Sequence, residues 1–259
     1  MDETLVHAYG VVAAKEPFGS FPSGIADTRV WLYPVEGLAA IVSLLPSDGF
    51  GAADWERNAA NLSWLESVAR RHNEVLQYAA TSAAVVPLRL PSLYSDLESL
   101  AATLRAASER LERSLRRIEG NLEWSVKVYR SAKEAASAVS AETTSGRDYL
   151  LARSQDLNAR STAREQLQEQ VGELHDTLGH LSAEHVRNQP QDAVLSGRSE
   201  QMVLNGAYLV NRADEAQFLK LTEEIADGSH AKGLIVEVSG PWPAYNFTDA
   251  DATTEQVVT

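Results

Sequence analysis

The sequence predicts an α+β protein of two domains. The first is an N-terminal α+β domain over residues 1–119. The second, over residues 120–247, has the order β-α-β-β-α-β, a ferredoxin-like domain with one very long helix. Three observations carry this. The chain has 259 residues, more than one small domain needs at roughly 100–200 residues per domain. Strand-like and helix-like segments follow one another along its length. Gly120 follows the clearest helix in the chain, which places a boundary at Gly120-Asn121.

In the first domain, Leu5 to Val12 is apolar and β-branched and predicts a strand. A Gly/Pro/Ser loop follows from Pro17 to Gly24. Val30–Tyr33 and Leu38–Leu44 predict two further strands, joined by a turn over Pro34–Gly37. From Asp54 to Ala80, Trp55, Asn58, Leu62, Leu65, Ala69, His72, Leu76 and Ala79 recur at helical spacing and predict one helix with one apolar face. Val85–Leu88 predicts a short strand. Ser95 to Glu119 predicts a single helix, with Ser95 and Glu98 as a capping box and Leu97, Leu100, Leu104, Leu111, Leu115 and Ile118 as its stripe.

In the second domain, Leu122–Tyr129 alternates as a half-buried strand should. Ser131–Gly146 is a loop with a short helix, or a linker. Asp148 to Val186 predicts a long helix, in which Leu167, Val171, Leu174, Leu178 and Leu181 are spaced like coiled-coil core positions. Pro190 stops it. Ala193–Leu195 and Val203–Val210 predict strands, Glu215–Ala226 a helix and Gly233–Val238 the last strand. Residues 248–259 carry three acids and no base and predict a disordered acidic tail.

Composition excludes several functions. There is no cysteine, hence no disulfide framework, cysteine-ligated zinc, iron–sulfur cluster or cysteine nucleophile. The net charge of −13 argues against nucleic acid and anionic lipid as partners. The start Met1-Asp2-Glu3-Thr4 is acidic where a signal peptide would be basic, no apolar signal region with a cleavage site follows, and no stretch is long enough to span a membrane, so the expected location is the cytoplasm.

The motifs supply little chemistry. His175, His180 and His185 stand five residues apart, about 140° around a helix axis, so on one helix they cannot share a metal and are expected on its solvated surface. His72 lies on an apolar stripe and is expected to be a hydrogen-bonded core histidine, with a general base as the alternative. Gly49-Phe50-Gly51 lacks the third glycine of a dinucleotide fingerprint, because Asp54 stands there. Arg110, Arg113, Arg116 and Arg117 suit the negative end of a helix. Asn205–Val210 has a faint similarity to an RNA-recognition motif, against a net charge of −9 over residues 120–259 (12 bases, 21 acids). No catalytic, cofactor-binding or metal-ligating set emerges. The most unusual segment is Gly240-Pro241-Trp242-Pro243-Ala244-Tyr245-Asn246-Phe247. Its prolines restrict the backbone and its aromatics offer large apolar area, which suits either a strap packed over the sheet or a preorganised contact for a protein partner.

Together with Tyr9-Gly10, Arg71–Leu76, Val86–Arg89, Gly120–Val128 and Val203–Val210, this octapeptide makes the chain resemble the gas vesicle F/L family (GvpF/GvpL) over essentially its whole length. The chain departs from the family pattern at Leu90-Pro91-Ser92, where Phe-Gly-Thr is common, and at Ala244, where a proline is common. The resemblance implies a two-domain α+β protein whose second domain is a modified ferredoxin-like fold. It implies a non-enzymatic accessory protein that acts in vesicle nucleation or assembly, or as a minor vesicle component. Its implied partners are the shell protein GvpA, whose aggregation it would limit, and other accessory proteins, with a cytoplasmic and gas vesicle location. Trp242, Tyr245, Phe247, His175 and His180 are the candidate partner contacts. The rival is a small-ligand-binding or enzymatic ferredoxin-like module using His72, which requires a concave pocket around it.

Overall fold

The computed structural model describes residues 4–131, 146–191, 198, 200–230 and 233–248. The chain divides into two compact units, one of residues 1–123 with 241–259 and the other of residues 124–240. The segment that leaves the last strand therefore groups with the first unit, although it lies at the far end of the sequence.

The first unit is built on a five-stranded sheet. β1 (Thr4–Ala13) runs through its middle, with β2 (Trp31–Val35) and β3 (Leu38–Pro46) stacked antiparallel on one side. The two-residue connection at Glu36 and Gly37 has positive φ at both positions, the geometry that matches the twist of a hairpin. On its other side β1 pairs in succession with β4 (Val86–Pro87) and β5 (Leu93–Tyr94). A bulge at Tyr9 interrupts the β1–β3 register between Ala8 and Gly10. β1 is buried along nearly all of its length, as its apolar residues require, and it carries His7 inside with them. Gly10 lies under a helix here, and a Cβ on it would stand 2.7 Å from Leu76 Cδ2 and 2.9 Å from the Val86 carbonyl oxygen.

Ser47–Phe50 forms one irregular turn, α1. The helix expected over 54–80 is two helices, α2 (Ala52–Ala59) and α3 (Leu62–Ser82). Asn61 causes the break. It adopts extended backbone, and its side chain accepts hydrogen bonds from the Ser63 and Trp64 N–H groups, capping α3. The restart moves Leu62 off the core face, and it is 79% exposed. Val68, His72, Val75, Leu76 and Ala79 of α3 are buried. All but His72 share one cluster with Leu5, Tyr9, Val12 and Ile41 of the sheet.

The helix expected over 95–119 is also split, into α4 (Leu97–Ala106) and α5 (Ser108–Ile118), with Ala107 outside helical geometry between them. The N-cap is Asp96 rather than Ser95: its carboxylate accepts from the Ser99 N–H at 2.7 Å. Of the predicted stripe, Leu100, Leu104, Leu111, Leu115 and Ile118 are buried and Leu97 is half-buried.

The second unit holds β6 (Asn121–Arg130), α6 (Gly146–Gly179), β7 (Glu184–Asn188), β8 (Gln201–Asn211), α7 (Glu215–His230) and β9 (Leu234–Trp242), although the first residues of β6 and the last of β9 group with the first unit. Its sheet has the order β7-β8-β6-β9. In chain order this is second-third-first-fourth, the arrangement of a ferredoxin-like βαββαβ sheet. The long helix ends at Gly179 rather than running to Val186, and residues 184–188 are an edge strand antiparallel to β8. Alternating burial in Glu184–Asn188 is strand-like, and pairing with β8 outweighs the helical pattern upstream. Among the described side chains of α6, the buried ones are Val171, Leu174, His175 and Leu178 in its last third, while residues 157–159 and 161–166 are exposed. The linker over 131–146, the strand at Ala193–Leu195 and the acidic tail fall wholly or largely outside the described residues.

Candidate functional site

Two places gather the residues singled out in the sequence: the segment after β9, in the first unit, and the start of β7, in the second. Extended backbone continues through Trp242, after which Tyr245–Phe247 closes in a single 3-10 turn. Phe247 is fully buried and anchors the segment. It cannot be a contact residue in this conformation. Tyr245 is 37% exposed and Trp242 half-buried, so both present aromatic surface.

What holds this strap is a buried carboxylate. Glu123, only 4% exposed, accepts from Asn246 twice, from the backbone N–H at 2.9 Å and from the side-chain amide at 2.6 Å. Burial raises the Glu123 pKa, and the two hydrogen bonds from Asn246 oppose the rise. Glu123 and Pro241 are the residues of the first unit nearest the two chain crossings into the second. The clamp thus fastens the strap beside the start of β6. Neither Glu123 nor Asn246 stands out in the sequence, because their partnership spans 123 positions.

His72 is a core histidine, 2% exposed. Its Nε2 donates to the Leu88 carbonyl at 3.1 Å, since a carbonyl can only accept. Its Nδ1 must then accept from His7 Nε2–H at 3.0 Å, and this leaves His7 Nδ1 as a buried bare acceptor without a partner. Tyr9 stacks against His72, its hydroxyl accepting from Ile25 N–H and bonded to Ser43. Burial lowers the His72 pKa to about 4, against a raising effect from Leu88. Burial, then the charge of His72, pushes His7 well below its ordinary value. Burial thus favours the neutral form of both rings, which are sealed from solvent. A cavity of about 800 Å³ in the same unit is lined by Phe18, Phe21, Arg29, Trp31 and neighbouring loop residues, and contains no histidine. His7 escaped the sequence analysis because it lies inside a strand whose neighbours are all apolar.

The expectation of three histidines on a solvated helix surface is corrected by the structure. His180 is exposed, its Nδ1 donating to the Asp176 carbonyl at 2.6 Å. His175 is 8% exposed, with Nδ1 bonded to the Tyr208 hydroxyl at 2.6 Å. His185 lies on β7, whose fold-back places its ring 4.9 Å from that of His175. The 140° separation holds only while both residues share one helix. Burial, then His185, lowers the His175 pKa. Among the described residues no group of three or more His, Cys, Asp or Glu side chains could hold a metal ion. No helix among them is long and apolar enough to cross a membrane.

Known proteins place this architecture. In the crystal structure of GvpF from Anabaena sp. PCC7120 the same fold recurs, with a TM-score of 0.69 at 20% identity, covering 94% of this chain and 95% of that one. GvpF from Microcystis aeruginosa superposes with a TM-score of 0.67 at 20% identity, over 94% and 98% of the two chains. By sequence the chain is 34% identical to gas vesicle protein L of a Streptomyces species over 92% of its own length and 91% of the relative's. It is 26% identical to gas vesicle protein F2 of Halobacterium salinarum over 99% and 97%. These relatives are named as gas vesicle proteins and not as enzymes. With residues 5–249 matching the model of the gas vesicle synthesis protein GvpL/GvpF, the chain belongs to the GvpL/GvpF family of gas vesicle accessory proteins.

Proposed function

We propose that the chain acts in nucleation or assembly of gas vesicles by binding the shell protein GvpA and limiting its aggregation before it polymerises. A subunit destined for a shell exposes apolar surface beforehand, and such surface aggregates unless covered. The observation that carries this reading is the clamped strap. Two prolines, the Glu123–Asn246 pair and the buried Phe247 hold Trp242 and Tyr245 at the surface in one conformation. Preordered aromatics lose little entropy on binding, which favours a reversible apolar contact. The net charge of −13 would keep such a complex dispersed. The exposed face of α6, with His180 near its end, is the second contact surface in this reading. The enzymatic alternative receives no support from His72, whose two ring nitrogens are both engaged inside the core.

The test is co-expression with GvpA, followed by affinity capture and a measure of soluble GvpA, for the native chain and the Trp242→Ala/Tyr245→Ala double variant. The native chain should capture GvpA and raise its soluble fraction. The double variant should lose about 10-fold or more in affinity if these aromatics are hot spots. A folded double variant that captures GvpA undiminished would reassign the strap to a purely structural role.

A further inference from the structure

The fold-back of β7 onto α6 creates a pair that the sequence spacing had excluded. We propose that His175 and His185 form a two-imidazole site for a divalent transition ion such as Ni²⁺, Cu²⁺ or Zn²⁺, with water completing its coordination. Three features of the geometry carry this.

The first is spacing. Two imidazoles that share one tetrahedral ion at metal–nitrogen distances of about 2.0–2.1 Å have ring centres about 5 Å apart, and these stand 4.9 Å apart. The second is orientation from behind. A metal-bound histidine characteristically gives its other ring N–H to a fixed oxygen, which sets its tautomer and direction. The His175 Nδ1 lies 2.6 Å from the Tyr208 hydroxyl, and when Nδ1 donates to that oxygen, Nε2 carries the lone pair an ion needs. The third is access and support. His185 is exposed, and its ring lies over Gly179, where a Cβ would stand 2.6 Å from Cε1 and 2.8 Å from Nδ1. A side chain at position 179 would push the ring out of this position.

The electrostatic setting is compatible with a cation. Burial lowers the His175 pKa, which weakens the competition of protons with an ion there. His185 and Arg187 act against positive charge there, and Asp176 in its favour. Imidazole prefers nickel, copper and zinc over calcium and magnesium, which sets the class of ion. A bound ion would staple the edge strand β7 to the end of α6. The proposal is independent of the assembly role.

The experiment is calorimetric titration of the full chain with Ni²⁺ at pH 7.5, alongside His185→Ala, His180→Ala and Tyr208→Phe. The native chain should bind one ion, and His180→Ala should do the same. His185→Ala should bind at least about 10-fold more weakly, and Tyr208→Phe about 10–100-fold more weakly through loss of the orienting oxygen. Amide exchange across Glu184–Asn188 should slow when Ni²⁺ is bound to the native chain. No binding by the native chain overturns the proposal, as does equal binding by His185→Ala, which would place the ion on other surface groups.

Discussion

Each unit of this protein contains a histidine pair, and the two pairs behave as opposites. His7 and His72 stand between a central strand and the helix packed on it, sealed from solvent and linked to the Leu88 carbonyl. His175 and His185 stand where a helix end meets an edge strand, one buried and one exposed. The difference follows from position in the sheet. A pair under a central strand is closed on every side, and its polarity is consumed internally. A pair beside an edge strand keeps one ring in water and is open to an ion or a proton. Position, more than residue type, separates a structural pin from a site.

The sharpest way to break the comparison is His72→Ala. It opens a cavity among Tyr9, Leu76 and Leu88 and strips His7 Nε2 of its acceptor. A loss of about 4 kcal/mol is expected, to be measured by urea unfolding. A loss below about 1 kcal/mol would show that the first pair is not the pin described.

Acid should act next, and mainly on the first pair. Folded His72 has a pKa of about 4 against 6.5 for the free residue. Above pH 6.5 neither state takes up the proton, and the stabilisation of the neutral ring is fully present. As the pH falls from 6.5 towards 4 the unfolded state binds protons that the folded state refuses, so stability is lost, by about 3 kcal/mol from His72. His7 adds to the same slope. Hydrogen exchange should show the amides of β1 and α3 losing protection over this window, and a flat profile there would contradict the assigned neutral rings.

The smallest effect should come from His185→Ala. An exposed ring on an edge strand contributes within about 0.5 kcal/mol of stability in metal-free buffer, measurable as a small shift in the unfolding midpoint. A loss as large as that of His72→Ala would make the two pairs equivalent and remove the contrast.

Much of this protein was determined by its sequence alone. The apolar runs of β1 and β3, the alternation in β6 and the stripe from Leu100 to Ile118 are local patterns: the first three came out as strands, and the stripe came out buried, on two helices rather than one. The octapeptide 240–247 and its companion segments carried the family. The tertiary structure decided the rest. Residues 184–188 became a strand because β8 offered them an edge. His175 met His185 across that fold-back, and Glu123 met Asn246 from 123 positions away. Periodicity and propensity report on neighbours within a few residues, whereas hydrogen-bond partners across the fold exist only after packing has brought their elements together.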